Sequence, residues 1–446
     1  MGKELRQILS VRDRRKIKSV REKVGTKGAA ILTGALEAAL AFFFLIGRLN
    51  AQQVVENSDK PVSKNAGRVL PLQPVFRIAD QEPQWKGKIE TENGIKVVKN
   101  PKDPLYGEIK FDLQEDLSIG GNENDNNYYF PKGAWSNVDG DGNIYVTDFG
   151  NRRVQMYDKA GKYIRTIGRK GQGPGEYQFP SRIQFDAEGN LIVFDSRVAH
   201  KFNRDGRFKK RITLKTFTND TVIMSTGSIF GTTQAHFEKG GPKECVAKMD
   251  ADGTLVGTVA EFRGEFKESQ NVIAWHQYNN RLTLSLASPS IFCYGFSSAY
   301  KIYIADAEGK SNLIITKEEK PQPITGKEKD AIKKRGPYKA IWQSGNPKPE
   351  EGMVFPDHRP FFGRLMADEK GRIYVWREKS VLDESHESVF DVFSKDGYYL
   401  YKTKLPFAPV LIKNGSVYEI RENKETGDIT IVRHKIKNWD QIKREI

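Results

Sequence analysis

Three features of the 446-residue sequence predict an all-β fold, a six-bladed β-propeller. A unit of apolar strand, acidic glycine turn and apolar strand recurs along the chain. It recurs at a period of about 45 residues, the length of one four-stranded blade. The composition suits strands joined by many turns, with 11% aromatics, 40 Gly and 20 Pro.

The first hairpin of each unit reads most clearly at residues 138–148 and 185–195, which align at an offset of 47, with a third copy at 367–375. A second hairpin follows, with its turn glycine at Gly161, Gly206, Gly253, Gly309 and Gly397. An Asp or Asn ahead of the glycine can fold back onto its own backbone, and the glycine supplies positive φ without a Cβ clash. Blades are expected near 131–172, 178–217, 219–262, 270–316, 360–405 and 407–436. The sixth lacks a clear fourth strand. Residues 107–113 (GEIKFDL) have no partner of their own and are expected to supply it, closing the ring and removing a fraying edge. Residues 86–100 form a flanking hairpin or the start of a seventh blade. The propeller is expected over 85–440. A charged insertion lies at 317–359, with a surface helix over 325–334 capped by Thr325.

Residues 142–158 (GNIYVTDFGNRRVQMYD), with Gly161 after them and the flanks 130–133 and 171–177, resemble an NHL repeat. The likeness is strong in the first blade, good in the second and degenerate beyond. Residues 86–440 as a whole resemble the exported bacterial six-bladed propellers related to NHL proteins. The resemblance implies the fold and assigns no chemistry.

The N-terminus reads as an address. Residues 3–27 are basic and residues 29–47 nearly apolar, the order of a secretory signal or a single anchor helix. The leader is assigned to 1–51, with Ala51 a tolerable cleavage position, and 52–84 to a linker. The propeller is therefore expected outside the cytoplasm: periplasmic, secreted or anchored to the inner membrane by this segment. The leader also explains much of the net charge of +15. Residues 1–51 carry 11 Lys/Arg against 4 Asp/Glu, leaving +8 on the remaining 395 residues. That balance describes a solvated surface and argues against a nucleic-acid partner. The two cysteines, Cys245 and Cys293, sit in apolar strands and are expected as separate buried thiols.

Blade connectivity sorts the loops. Turns joining strands one to two and three to four share one face of the disc. Loops joining strands two to three, and each blade to the next, share the other face and are longer, which favours that face for binding. In the first two blades it is expected to present Arg152, Arg153, Arg169, Lys170, Arg197 and His200, a set suited to an acidic glycan, phosphate or carboxylate-bearing peptide. The glycine-rich stretch 171–177 lacks the Lys-Ser/Thr of a nucleotide cradle and reads as a blade-crossing loop. The acidic turns recur once per blade, as structural turns do, so calcium is not required. The six histidines show no zinc spacing, and no nucleophile motif occurs. No catalytic or metal-ligating residue and no cofactor is assigned. The expected function is an extracytoplasmic binding or scaffold module for a protein, peptide or glycan. The alternative is a metal-dependent lyase or lactonase with calcium or zinc at the channel mouth.

Overall fold

The acidic glycine turns form as their residues dictate. At 139–143 the Asp139 amide donates to the Asn143 carbonyl (3.1 Å) and the Gly142 amide to the Asp139 carbonyl (3.3 Å). Asp139 Oδ1 accepts from the amides of Asp141 (3.0 Å) and Asn143 (2.8 Å). Gly142 takes φ +88°, which a Cβ would oppose. The same geometry recurs at 158–162, 250–254, 306–310 and 368–372, and Ser394 replaces the carboxylate at 394–398. A turn that satisfies its own amides needs no tertiary help, so each one pins a hairpin locally.

The computed structural model describes residues 83–446, apart from 132, 239–240, 264–271, 276, 336–338 and 343–352. It gives the backbone alone for 234–238, 241–242, 272–275 and 339–342. The expected leader, 1–51, and the linker up to 82 lie outside the described residues. No helix among the described residues is long and apolar enough to cross a membrane.

Each blade, I to VI, is an antiparallel meander running outward from an inner strand. The inner strands are Ala134–Val138, Pro180–Phe185, Thr221–Ile223, Leu282–Ser288, Phe362–Ala367 and Pro409–Lys413. The apolar residues do not meet in one central core. Among the described residues they form six wedges, one at each seam between neighbouring blades, and a smaller cluster around Tyr278 and Val381. Tyr145, Val154 and Ile183 mark the I/II seam, and Ile119, Ile431, Val138 and Ile144 mark the VI/I seam. A filled VI/I wedge means the ring is closed.

The chain reaches blade I by lining three outer edges in turn. The hairpin Lys88–Glu92 and Ile95–Asn100 extends blade IV to six strands, with Val97 paired in parallel to Ile314. It is thus a flanking hairpin and not a seventh blade. Asn100, buried at its end, staples blade IV to blade V. Its Nδ2 donates to the carbonyls of Thr316 (3.1 Å) and Gly397 (2.8 Å), and its Oδ1 accepts from the Tyr399 amide (2.7 Å). The strand Glu108–Ile109 then pairs in parallel with the outer strand of blade V, Tyr399–Leu405. The strand that closes blade VI is Leu113–Gly120, which pairs antiparallel with Ile429–Ile436.

The closing strand therefore lies further along the chain than 107–113. Its exposed Gln114, Glu115 and Asp116 concealed it, because an outermost strand has one face in water. The more apolar Ile109 and Phe111 pack instead into the V/VI wedge, beside Tyr401 and Trp439.

The insertion helix, α1 (Gly326–Arg335), starts at a capping box. The Glu328 amide donates to Thr325 Oγ1 (3.3 Å), and Glu328 Oε2 accepts from the Thr325 amide (2.9 Å). Glu328 Oε1 accepts from Tyr278 (2.7 Å) and Ser380 (2.6 Å), and its pKa falls to about 2 because these hydrogen bonds outweigh burial. Ile332 packs on Tyr278 and Val381, so α1 rests on the loops of blades IV and V.

Candidate functional site in the central channel

Inner strands of a propeller turn one edge toward the axis, so residues at one register position in several blades can meet there. Counting four residues back from the residue that opens each first turn gives Trp135 (from Asp139), Arg182 (from Asp186), Asp220 (from Met224) and Arg364 (from Asp368). All four line a central cavity of about 740 Å³ bounded by the inner strands of all six blades. They stand at the start of their strands, toward the long-loop face.

They interact in two pairs across blades. Arg182 forms an ion pair with Asp220, whose Oδ2 also accepts from the Leu284 amide of blade IV (3.3 Å). The Arg364 guanidinium lies over the indole of Trp135, 4.7 Å from the ring centroid. Its Nη2 reaches the Val410 carbonyl at 3.5 Å, and it has no ion-pair partner among the described residues. Burial pulls its pKa down to about 10, and the neighbouring Arg182 acts in the same direction. It remains charged at neutral pH. These four residues supply two guanidiniums, one carboxylate and an indole face.

The inner strands also carry the groups that hold this geometry. Asn137 Nδ2 donates to the Ile183 carbonyl (2.8 Å), and Gln184 Oε1 accepts from the Ile223 amide (3.0 Å), tying blades I to II and II to III. Toward the short-turn end, Lys413 Nζ donates to the Val138 carbonyl (2.6 Å), and burial lowers its pKa against the pull of Glu369 and Asp139.

A model of the family described as a domain of unknown function, DUF4934, matches residues 138–402, more than half of the chain. The chain belongs to that family. No curated protein matches it. Among solved structures, this DUF4934 member is similar to a protein of Bacteroides fragilis proposed to be exported, at 12% identity over 76% of this chain and 99% of that one, with a TM-score of 0.46. It is also similar to a DUF4221 member from Bacteroides vulgatus, at 11% identity over 73% and 98%, TM-score 0.39. A streptogramin B lyase matches at 14% identity over 73% and 98%, TM-score 0.34. At such identities none of these proteins' activities passes to this chain.

The residues expected on the long-loop face divide in this DUF4934 chain: Arg153 and His200 are buried, whereas Arg152, Arg169, Lys170 and Arg197 stay at least part-exposed in the loops. Arg153 is buried. Its Nε pairs with Asp148 (2.9 Å) and its Nη2 holds the Asn126 carbonyl (2.5 Å), so it packs a loop in place. His200 is buried in the third strand of blade II, edge-on to Tyr177 at 5.4 Å, and desolvation lowers its pKa. Both start or sit in strands, where side chains alternate between seams, and this turned them away from the loop surface. Arg169 pairs with Glu176 (2.9 Å) at the surface and Lys170 is exposed beside it. Glu176 also accepts from the amides of Gln172 (3.2 Å) and Gly173 (3.0 Å), so the glycine-rich loop cradles its own carboxylate. Arg152, at φ +56°, lies 5.3 Å from the ring of Phe179, and Arg197 donates to the Lys215 carbonyl (2.7 Å).

Among the described residues no group of three or more His, Cys, Asp or Glu side chains is placed to hold a metal ion. Side chains of His236 and His276 lie outside the described residues. Cys245 and Cys293 are buried thiols and not a disulfide, with burial pushing Cys293 up to about 12. The channel residues Trp135, Arg182, Asp220 and Arg364 lie in or next to apolar inner strands and carry no loop or motif signature in the sequence. Register against the turn residue was the signal available.

Proposed function

We propose that the protein is an exported binding propeller that takes a small carboxylate- or phosphate-bearing ligand in its central channel, entered from the long-loop side. The observation that carries this reading is Arg364, a part-buried guanidinium in a cavity with no ion-pair partner among the described residues. The carboxylate nearest in effect, Asp220, is already paired with Arg182, so the Arg364 charge is incompletely compensated and an arriving anion relieves that cost. Arg364 and Arg182 together offer forked donors suited to bidentate capture of a planar or tetrahedral anion. Trp135 adds a flat apolar face for the ligand's body. The basic-then-apolar N-terminal pattern supports export.

The test is a thermal-shift and calorimetric panel of dicarboxylates, uronates, sugar phosphates and inorganic phosphate against the purified chain. At least one class is expected to bind and to weaken as ionic strength rises, and Arg364→Leu is expected to abolish that binding in a folded protein. If no anion binds at millimolar concentration, or if Arg364→Leu binds as the parent does, the reading fails. Fractionation of the native host, with the protein found in the cytoplasm, would overturn the export part alone.

A further inference from the structure

A second surface, outside the channel, carries the strongest unabsorbed signal. Three phenylalanines stand in water in the long loops of blades I to III: Phe149 (38% exposed), Phe179 (62%) and Phe217 (58%). Phe179 and Phe217 occupy one register position, three residues before Arg182 and Asp220. The equivalent residue of blade V, Phe361, is only part-exposed and packs against His358 (5.2 Å) and Tyr300 (6.2 Å). The same position is thus covered in one blade and bare in two.

Charge follows the rings. The loops 149–152, 168–179, 196–197 and 214–219 contain five cations, Arg152, Arg169, Lys170, Arg197 and Lys215, against one carboxylate, Glu176. Contacts link part of this strip. Arg152 lies over Phe179, whose amide is held by Asp195 Oδ1 (2.5 Å), and Arg197, two residues on, binds the Lys215 carbonyl beside Phe217.

We infer that this strip binds an acidic polysaccharide. Bare aromatic faces beside fixed cations suit a polymer whose rings offer C–H faces for stacking and whose carboxylates or sulfates pair with Arg and Lys. The strip crosses two blade boundaries, which suits a linear chain more than a compact ligand. A lipid surface fits less well, because inserting Phe179 into hydrocarbon would carry the Arg152 charge with it. The inference does not depend on the channel reading.

The test uses the full chain in affinity electrophoresis and calorimetry with polygalacturonate, chondroitin sulfate, neutral dextran, single-stranded poly(dT) and phosphatidylglycerol vesicles. Binding to polygalacturonate or chondroitin sulfate, and not to dextran, is expected. It should fall at least about tenfold between about 50 and about 300 mM NaCl, since surface charges are screened over that range. Arg152→Gln with Arg197→Gln, and separately Phe179→Ala with Phe217→Ala, should each weaken it about tenfold or more with the melting temperature unchanged, as exposed residues predict. Equal binding to dextran, binding to poly(dT) or vesicles in place of the acidic glycans, no binding to any probe, or full binding by both folded double variants would each overturn the inference.

Discussion

Asp391 anchors a buried charge network in the seam between blades IV and V. It accepts from Lys317 (2.7 Å), Arg377 (3.0 Å), Tyr300 (2.6 Å) and Tyr399 (2.6 Å), and Glu319 pairs with both cations at 2.9 Å. Burial alone would raise the Asp391 carboxyl, but Lys317 and Arg377 outweigh it and hold the pKa below the ordinary value. Glu319 is lowered in the same way, against burial, by Arg377 and Lys317. A depressed carboxylate stabilises the fold above its unfolded pKa, and that stability is lost as pH falls through the folded value. Acid unfolding should therefore steepen below the ordinary carboxylate range. Asp391→Asn should cost about 3–5 kcal/mol, because it leaves two cations short of a partner, and should flatten that acid limb in denaturant titrations. Glu244 behaves oppositely. Buried in blade III with the Leu282 amide on Oε2 (2.7 Å), it is pushed up to about 7 by desolvation. The native state then binds the proton more tightly than the unfolded chain, so stability falls as pH rises from the ordinary carboxylate value to about 7. Glu244→Gln should remove that fall and gain up to about 3 kcal/mol at pH 8, read from urea midpoints at pH 5 and pH 8.

At the level of elements, the closing strand decides whether the ring is one cooperative body. Leu113–Gly120 brings Ile119 into the VI/I wedge against Ile431 and Tyr418, far away in sequence. Ile119→Ala should cost about 2–5 kcal/mol, the loss for a buried aliphatic side chain that leaves a cavity. Calorimetry should show the transition moving as a whole; a change confined to blade VI would show that the other seams hold without it. The hairpins themselves were legible in the sequence, because each turn is satisfied within five residues and its Asp and Gly announce it. The closing strand was legible as a need but not in position. Its residues alternate weakly, with one face in solvent, and the apolar run just before it belongs to a packing segment. The insertion helix was legible from its cap, since Thr325 and Glu328 act within a single turn.

On the scale of the whole molecule, six seams carry the apolar core and leave the axis free for polar groups. That division separates what stabilises the fold from what could bind. Arg364 shows it: replacing a part-buried guanidinium that lacks an ion pair by a similar-sized apolar residue tends to be neutral or stabilising. Arg364→Leu is expected to melt at or above the parent's temperature while failing to gain the ligand-induced rise. For the parent, that rise corresponds to about 2.7 kcal/mol at a ligand concentration of 100 Kd. A variant that melts well below the parent would mean that Arg364 serves the fold instead.

The sequence by itself determined the repeating blade, the turn chemistry and the capped insertion, because each rests on contacts between residues close along the chain. The tertiary structure alone decided where the ring closes, which arginines are consumed and which stand unpaired. Arg153 and His200 read as loop residues until strand alternation buried them in blades I and II. Trp135, Arg182, Asp220 and Arg364 are separated by about one blade or more in sequence and meet only because the sheet circle returns on itself. A one-dimensional pattern records period and register, but contact across an axis is a property of the closed ring.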